Sequence, residues 1–171
     1  MSEARQQVVM RPIGVVHSPH RTPAGTSIQP AYAEHVKGQV VVDEGFAAAL
    51  DDIEGFERIW LVYCLDRAKP FKPRVVPYRD TKERGLFATR APSRPNPIGL
   101  SVVRLLGRDG NALRVRGLDI LDGTPLLDIK PYVPEFDAYP ESKSGWLDER
   151  REDRREADGR FHGDDGPQRK T

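Results

Sequence analysis

Apolar residues in this chain fall in short runs at near-regular spacing, and turn-forming residues separate them. Residues 8–16 read as a strand, with Pro12 marking an edge or a bulge. Residues 37–42 read as a second. The stretch Ile59-Trp60-Leu61-Val62-Tyr63-Cys64-Leu65 is continuously apolar and rich in β-favouring residues, which suits a buried strand. Residues 74–78 form a short run interrupted by proline, and 85–89 read as another short strand. Residues 98–106 and 112–118 flank Gly107-Arg108-Asp109-Gly110-Asn111, in which Asp109-Gly110 signals a hairpin with both turn positions at positive φ. After the turn Asp122-Gly123-Thr124, residues 126–129 form the last run. Only the Ala-rich residues 46–50 read as one or two helical turns, ended before Gly55.

Such a succession predicts a mainly β fold, a single closed β-barrel with short helices. The expected organisation is a flexible N-terminus over 1–10, the barrel over 11–140 and a charged extension over 141–171. From Asp148 to Asp158 acidic and basic residues alternate, the pattern of a solvated helix with i,i+4 pairs anchored by Trp146. Disorder is expected from Gly159 onward.

The formal charge of +1 over 171 residues excludes a global basic field. A local one remains, since Arg74, Arg79, Lys82, Arg84, Arg90 and Arg94 lie close in sequence. The single cysteine, Cys64, cannot form an internal disulfide, which is compatible with a reducing compartment. No run is long enough to span a bilayer and no signal peptide is visible, so the expected location is cytoplasmic. No Gly-x-Gly-x-x-Gly, phosphate loop, cysteine pair or nucleophile elbow occurs. His17 and His20 stand three apart on a strand-to-loop segment that does not bring their rings together, so no metal is expected.

What remains is polar groups at strand ends. Asp66-Arg67 follows the buried strand, and Arg90, Arg94 and Asn96 lie in a loop stiffened by Pro92, Pro95 and Pro97. Stiffness loses less ordering entropy when a ligand binds. The long first loop, 18–30, has the length and turn content of a functional segment. Asp119, Asp122, Thr124 and Asp128 gather around Asp-Gly-Thr-Pro, where Asp122 also reads as a turn former and Asp119 and Asp128 as partners for nearby arginines.

In this order, Phe87-Ala88-Thr89-Arg90, Arg94-Pro95-Asn96-Pro97-Ile98-Gly99, Asp122-Gly123-Thr124-Pro125 and Asp128-Ile129-Lys130-Pro131-Tyr132 resemble the motifs of the TrmO (TsaA-like, formerly YaeB) family of tRNA methyltransferases. Ile13-Gly14-Val15-Val16-His17-Ser18-Pro19 and the segment from Gly55-Phe56 to Trp60-Leu61 are similar to it as well. The resemblance implies an S-adenosyl-L-methionine (SAM)-dependent enzyme built on a β-barrel, usually a homodimer. It further implies methylation of the exocyclic nitrogen of threonylcarbamoyladenosine beside the anticodon of tRNA. Carried over by motif, the cofactor contacts are Gln29 and Pro30, Asp66 and Arg67, Arg90 and Leu100, and Leu126, Leu127, Asp128 and Ile129. Arg94, Asn96 and Lys130 are the implied substrate contacts. Family members often have His-Gln where Asp66-Arg67 stands, and many bacterial ones carry a further C-terminal domain, so the chain resembles a short form.

Methyl transfer suits these residues. A sulfonium methyl group is already electrophilic, and the cofactor supplies that chemistry. A carbamoyl-bearing nitrogen is a poor nucleophile, so a group must take its proton or stabilise negative charge. The catalytic candidates are therefore Asp122 or Asp128 as acceptor, Arg90 or Arg94 as charge stabiliser, and Tyr132 as a ring stacked on the base or facing the sulfonium. A methyltransferase of a small metabolite and a non-catalytic SAM-binding protein are the alternative readings.

Overall fold

A computed structural model describes residues 7–149 and 153–162. The expectations for 1–6, 150–152 and 163–171 lie outside the described residues.

Six strands close into an antiparallel barrel: β1 (Gly14–His17), β2 (Lys37–Val42), β3 (Arg58–Cys64), β6 (Ile98–Asp109), β7 (Ala112–Arg116) and β8 (Thr124–Pro131). Their order around the barrel is β1-β2-β7-β6-β3-β8, with β8 returning to β1. A separate two-stranded piece pairs β4 (Arg74–Val75) with β5 (Arg84–Gly85). Closure leaves no free edge in the main sheet. Strand alternation sends Val16, Val40, Val42, Ile59, Leu61, Val103, Leu113, Val115 and Leu126 into one core. The apolar run of β3 is thus divided: Ile59, Leu61 and Tyr63 face inward, while Trp60 lies half-buried outside, its ring 5.9 Å from that of Tyr132.

Several boundaries differ from the pattern reading. Val8 and Val9 are exposed, and pairing starts only at Ile13, whose N–H donates to the Leu126 carbonyl. Residues 85–89 do not form a strand; after β5 the chain makes a 3-10 turn, Leu86–Ala88. The helical turns after β2 are also 3-10, over Glu44–Leu50 and Ile53–Gly55. β7 stops at Arg116 because Gly117 takes φ 94, outside the extended region. In the β6–β7 hairpin the two loop residues are Gly110 and Asn111, and only Gly110 has positive φ (59).

The extension departs most from expectation. Instead of a solvated helix, its described part 153–162 runs back along the barrel. Glu156 makes a single antiparallel bridge to Ser27, and His162 another to Ala68. The Gly25 N–H donates to the Ala157 carbonyl, the Ile28 N–H to that of Arg155 and the Lys69 N–H to that of Phe161. Gly159–Phe161 forms a 3-10 turn where disorder was expected, and Phe161 is buried against Val75, Leu86, Ala91 and Tyr78. This strap closes a second, smaller core beside the barrel.

Candidate active site

A cleft of about 320 Å³ opens at the end of the barrel where β3 finishes and β6 and β8 begin. Four stretches far apart in sequence wall it: the first loop around Gln29, residues 65–68 after β3, the proline loop at Thr89, Arg90 and Arg94, and residues 119–121 before β8. The strap adds Ala157 and His162.

Each wall is tied down. Arg90 Nη1 donates to Gln29 Oε1 at 2.8 Å and joins the proline loop to the first loop. Arg67 reaches across from the end of β3, its Nη2 donating to the Asp122 carbonyl (3.0 Å) and to Thr124 Oγ1 (2.9 Å), while Nε stands 3.5 Å from the Asp66 carboxylate. Arg94 lines the cleft, but its Nη1 is spent on the loop's own Thr89 and Ala91 carbonyls and its guanidinium lies 5.5 Å from the centre of the Phe87 ring. It supplies carbonyl partners' donors where proline removed the N–H groups that a loop normally uses.

Three polar groups form a chain from the barrel interior to the cleft. Ser101 Oγ donates to Asp119 Oδ1 at 2.6 Å, and Tyr63 Oη lies 3.0 Å from Ser101 Oγ. Tyr63 and Ser101 are buried. Burial pushes the Tyr63 hydroxyl far above the usual phenol range, so it stays neutral and donates. Burial also pushes the Asp119 carboxyl up to about 7, against the opposing pull of the Ser101 hydroxyl, its own backbone N–H and the Arg90 charge.

Asp122 behaves differently. Burial works to raise it, but the Ser18 N–H, the Arg21 guanidinium and His17 together hold it below the usual carboxylate range. It clamps the start of the first loop to the turn before β8 and has little free valence for a reacting proton. Its backbone carbonyl, not its carboxylate, reaches the site through Arg67.

The structure therefore gathers Gln29, Asp66, Arg67, Arg90, Arg94 and Leu100 at one cleft. Pro30, Asn96 and Lys130 are not in its lining, nor are Leu126, Leu127, Asp128 and Ile129. Leu126 points into the barrel core with no exposure, and Asp128 pairs with Lys130 at 2.9 Å. Because β8 runs antiparallel to β3, Tyr132 is carried to the far end, where its N–H donates to the Arg58 carbonyl. The lining from this part of the chain is Asp119, Ile120, Leu121 and Thr124, a few residues earlier. Asp119, in sequence one of the strand-end carboxylates and read as a partner for a nearby arginine, lines the cleft between the core residues Leu118 and Ile120, and the strap, which carried no signal of a site, lines it too.

Most of the arginine group has internal partners. Arg74 pairs with Glu83, Arg79 with Asp153 while lying over the Tyr32 ring, and Arg84 with buried Asp80. Among the described residues no helix is long and apolar enough to cross a membrane.

The family model for the tRNA-methyltransferase O N-terminal domain matches residues 15–138. A probable S-adenosyl-L-methionine-binding protein of Pyrococcus abyssi is 52% identical over 90% of this chain and 85% of its own length. The tRNA (adenine(37)-N6)-methyltransferase of Escherichia coli is 32% identical over 78% of this chain and 61% of its own. Among solved structures, TrmO from Pseudomonas aeruginosa superposes with a TM-score of 0.70 at 36% identity, covering 82% of this chain and 62% of that one. The chain thus spans less than two thirds of the length of these two bacterial proteins.

Proposed function

The chain belongs to the tRNA-methyltransferase O family of SAM-dependent methyltransferases, and from that premise we propose that it methylates the exocyclic nitrogen of threonylcarbamoyladenosine beside the anticodon of tRNA. The observation that carries the reading is the convergence of Gln29, Arg67 and Arg90 on one cleft at the barrel end.

The cleft fits the cofactor on its own chemistry. Its volume is at the lower end for a ligand of that size, which is typically ~300–1,000 Å³. Ile28, Leu65, Ile98, Leu100 and Ile120 offer apolar surface to a purine. Arg67 and Arg90 offer charge to a carboxylate. His162 Nδ1 is buried in the wall with no hydrogen-bond partner among the described residues, as suits a wall completed by a ligand. When bound, the cofactor supplies the methyl group. Arg90 and Gln29 would hold the first loop and the proline loop together at the site, Arg67 would fix the wall before β8, and Arg94 would keep the proline loop rigid.

A homodimer belongs to this proposal. Phe87, just before the proline loop, is an exposed apolar residue outside the cleft lining, open to a second copy. Sedimentation of the purified protein tests it, with a dimer expected. A small-metabolite substrate is the second reading. It rests on the cleft's modest volume of about 320 Å³.

Mass analysis of modified nucleosides in tRNA from cells with and without the gene tests the proposal. Loss of the methylated nucleoside supports it, and an unchanged nucleoside profile overturns the tRNA assignment. In calorimetry, Arg90→Ala is expected to weaken SAM binding at least tenfold; unchanged affinity removes Arg90 from the site.

A further inference from the structure

Removing a proton from the acceptor nitrogen is the step that the cleft residues discussed so far leave without an agent. The described lining holds two carboxylates, Asp66 and Asp119, and one imidazole, His162. Asp66 is exposed and stands beside the Arg67 guanidinium. Burial, then the charges of Arg67 and Lys69, hold His162 below the usual histidine range, so it takes up a proton poorly. Asp122 is consumed by Ser18, Arg21 and His17, and Asp128 lies outside the cleft beside Lys130.

We propose that Asp119 is the catalytic residue that accepts the proton of the nitrogen being methylated, with Ser101 and Tyr63 as positioning residues that aim its carboxylate at the cleft. This rests on the methyltransferase reading. The geometry is a relay fixed from two strands: Tyr63 on β3 donates to Ser101 on β6, and Ser101 donates to one oxygen of Asp119. The hydroxyl bond sets the orientation of the carboxylate, and Asp119 remains part of the cleft wall. The groups that face it are Tyr63, Ser101 and, from the proline loop, Arg90. In the step itself a bond forms between the acceptor nitrogen and the methyl carbon of the sulfonium donor. The sulfur–carbon bond breaks with its electron pair left on sulfur, and the N–H proton passes to the Asp119 carboxylate. The carboxyl returns that proton to water after the product leaves. A carboxyl pushed up to about 7 by burial has the basicity that a proton acceptor needs near neutral pH.

The test uses the full chain as unaltered protein, Asp119→Asn and Ser101→Ala. It measures SAM affinity by calorimetry and single-turnover methylation of tRNA carrying threonylcarbamoyladenosine across pH 5 to 9. With Asp119→Asn, SAM affinity is expected to stay within about twofold while the rate falls roughly a hundredfold or more, in line with general-base removal. The unaltered protein is expected to lose rate as pH falls below about 7, and Asp119→Asn to lose that dependence. Ser101→Ala removes a hydrogen bond that favours the carboxylate form, so its acid limb moves to higher pH and its rate recovers at alkaline pH. A merely structural serine would not shift that limb. Weakened SAM binding in Asp119→Asn, with a normal rate at saturating SAM, makes Asp119 a cofactor ligand and overturns the proposal. So does a rate within threefold of the unaltered protein. If the unaltered protein binds SAM and never methylates the tRNA, the substrate reading fails, and this assignment fails with it; the assignment fails alone when the unaltered protein turns over and Asp119→Asn matches it.

Discussion

Gly99 of β6 stands directly opposite Tyr63 of β3, and the phenol ring fills the space that a Cβ at position 99 would need. The absence of a side chain at one residue thus allows the other to turn its hydroxyl inward to Ser101. A strand glycine is normally a weak point, since it adds no packing and loses more entropy on ordering. Here it makes room for a buried polar contact next to the cleft.

Gly99→Ala is therefore expected to destabilise by about 2 kcal/mol, the usual scale for overpacking a filled core, and to displace the Tyr63 ring from Ser101. Pairing it with Tyr63→Val should recover part of that loss. Urea unfolding of the two single variants and the double variant checks this, because a purely local strand effect at position 99 would leave the two changes additive.

Asp119 links stability to pH. Its folded value, about 7, lies above the ordinary aspartate value of the unfolded chain. The folded state therefore binds more protons between pH 4 and 7, and this group's contribution to stability is full below pH 4 and lost as pH rises through 7. The whole displacement is worth about 4 kcal/mol as an upper bound. Asp119→Asn should be more stable than the unaltered protein at pH 8, with the gain vanishing toward pH 4. Thermal unfolding at both pH values measures it, and equal differences at the two would contradict the linkage. Asp80 and Asp158 pull the other way. Hydrogen bonds from the Arg84 and Arg160 guanidinium groups lead the causes that hold them below the usual range, so their contribution is lost only as pH falls below about 4.

Phe161 is the apolar anchor of the strap. It meets the Tyr78 ring edge-on at 5.1 Å and 81° and is buried with Val75, Leu86 and Ala91. Phe161→Ala is expected to cost roughly 3 kcal/mol, the low end for a buried aromatic because this satellite core is small. It should also weaken SAM binding, since Ala157 and His162 form part of the cleft wall. Hydrogen exchange should show faster exchange at the Lys69 and Ala157 amides, whose acceptors lie across the strap contact. Unchanged exchange at both would show that the strap holds without its anchor.

The barrel was legible because its signal is local. Period-two patterning in β7 reports its buried face through Leu113 and Val115, and the turn residues between the strands report the connections, whereas in β6 the apolar residues Ile98 and Leu100 lie outside and Gly99 and Ser101 lie within. What was not legible depends on contacts that leave no periodic trace. Residues 153–162 look like a solvated charge run, yet they dock through backbone hydrogen bonds and a single ring. Backbone pairing is indifferent to side-chain polarity, so charged residues such as Arg155 and Glu156 can occupy it with their side chains in water. Of the residues singled out in the sequence, Asp66, Arg67, Gln29 and Arg90 line the cleft. Leu126, Leu127, Asp128 and Ile129 of β8 are not in the lining, which at this wall is formed by Asp119, Ile120, Leu121 and Thr124. Motif spacing marks where a family signature lies; strand direction decides which of its residues reaches the barrel end. Asp122 shows the same limit, because its carboxylate is taken up by groups a hundred residues away in sequence, which only the closed barrel brings near.

Since the cleft borrows from stretches as distant as Pro23 and His162, a partly folded chain lacks it. On the proposed assignment of SAM to this cleft, its uptake doubles as a readout of maturation, strongest once the barrel is closed and residues 153–162 are docked. Ligand at a hundred times its dissociation constant would add about 2.7 kcal/mol to such a species and nothing to its unfinished precursors.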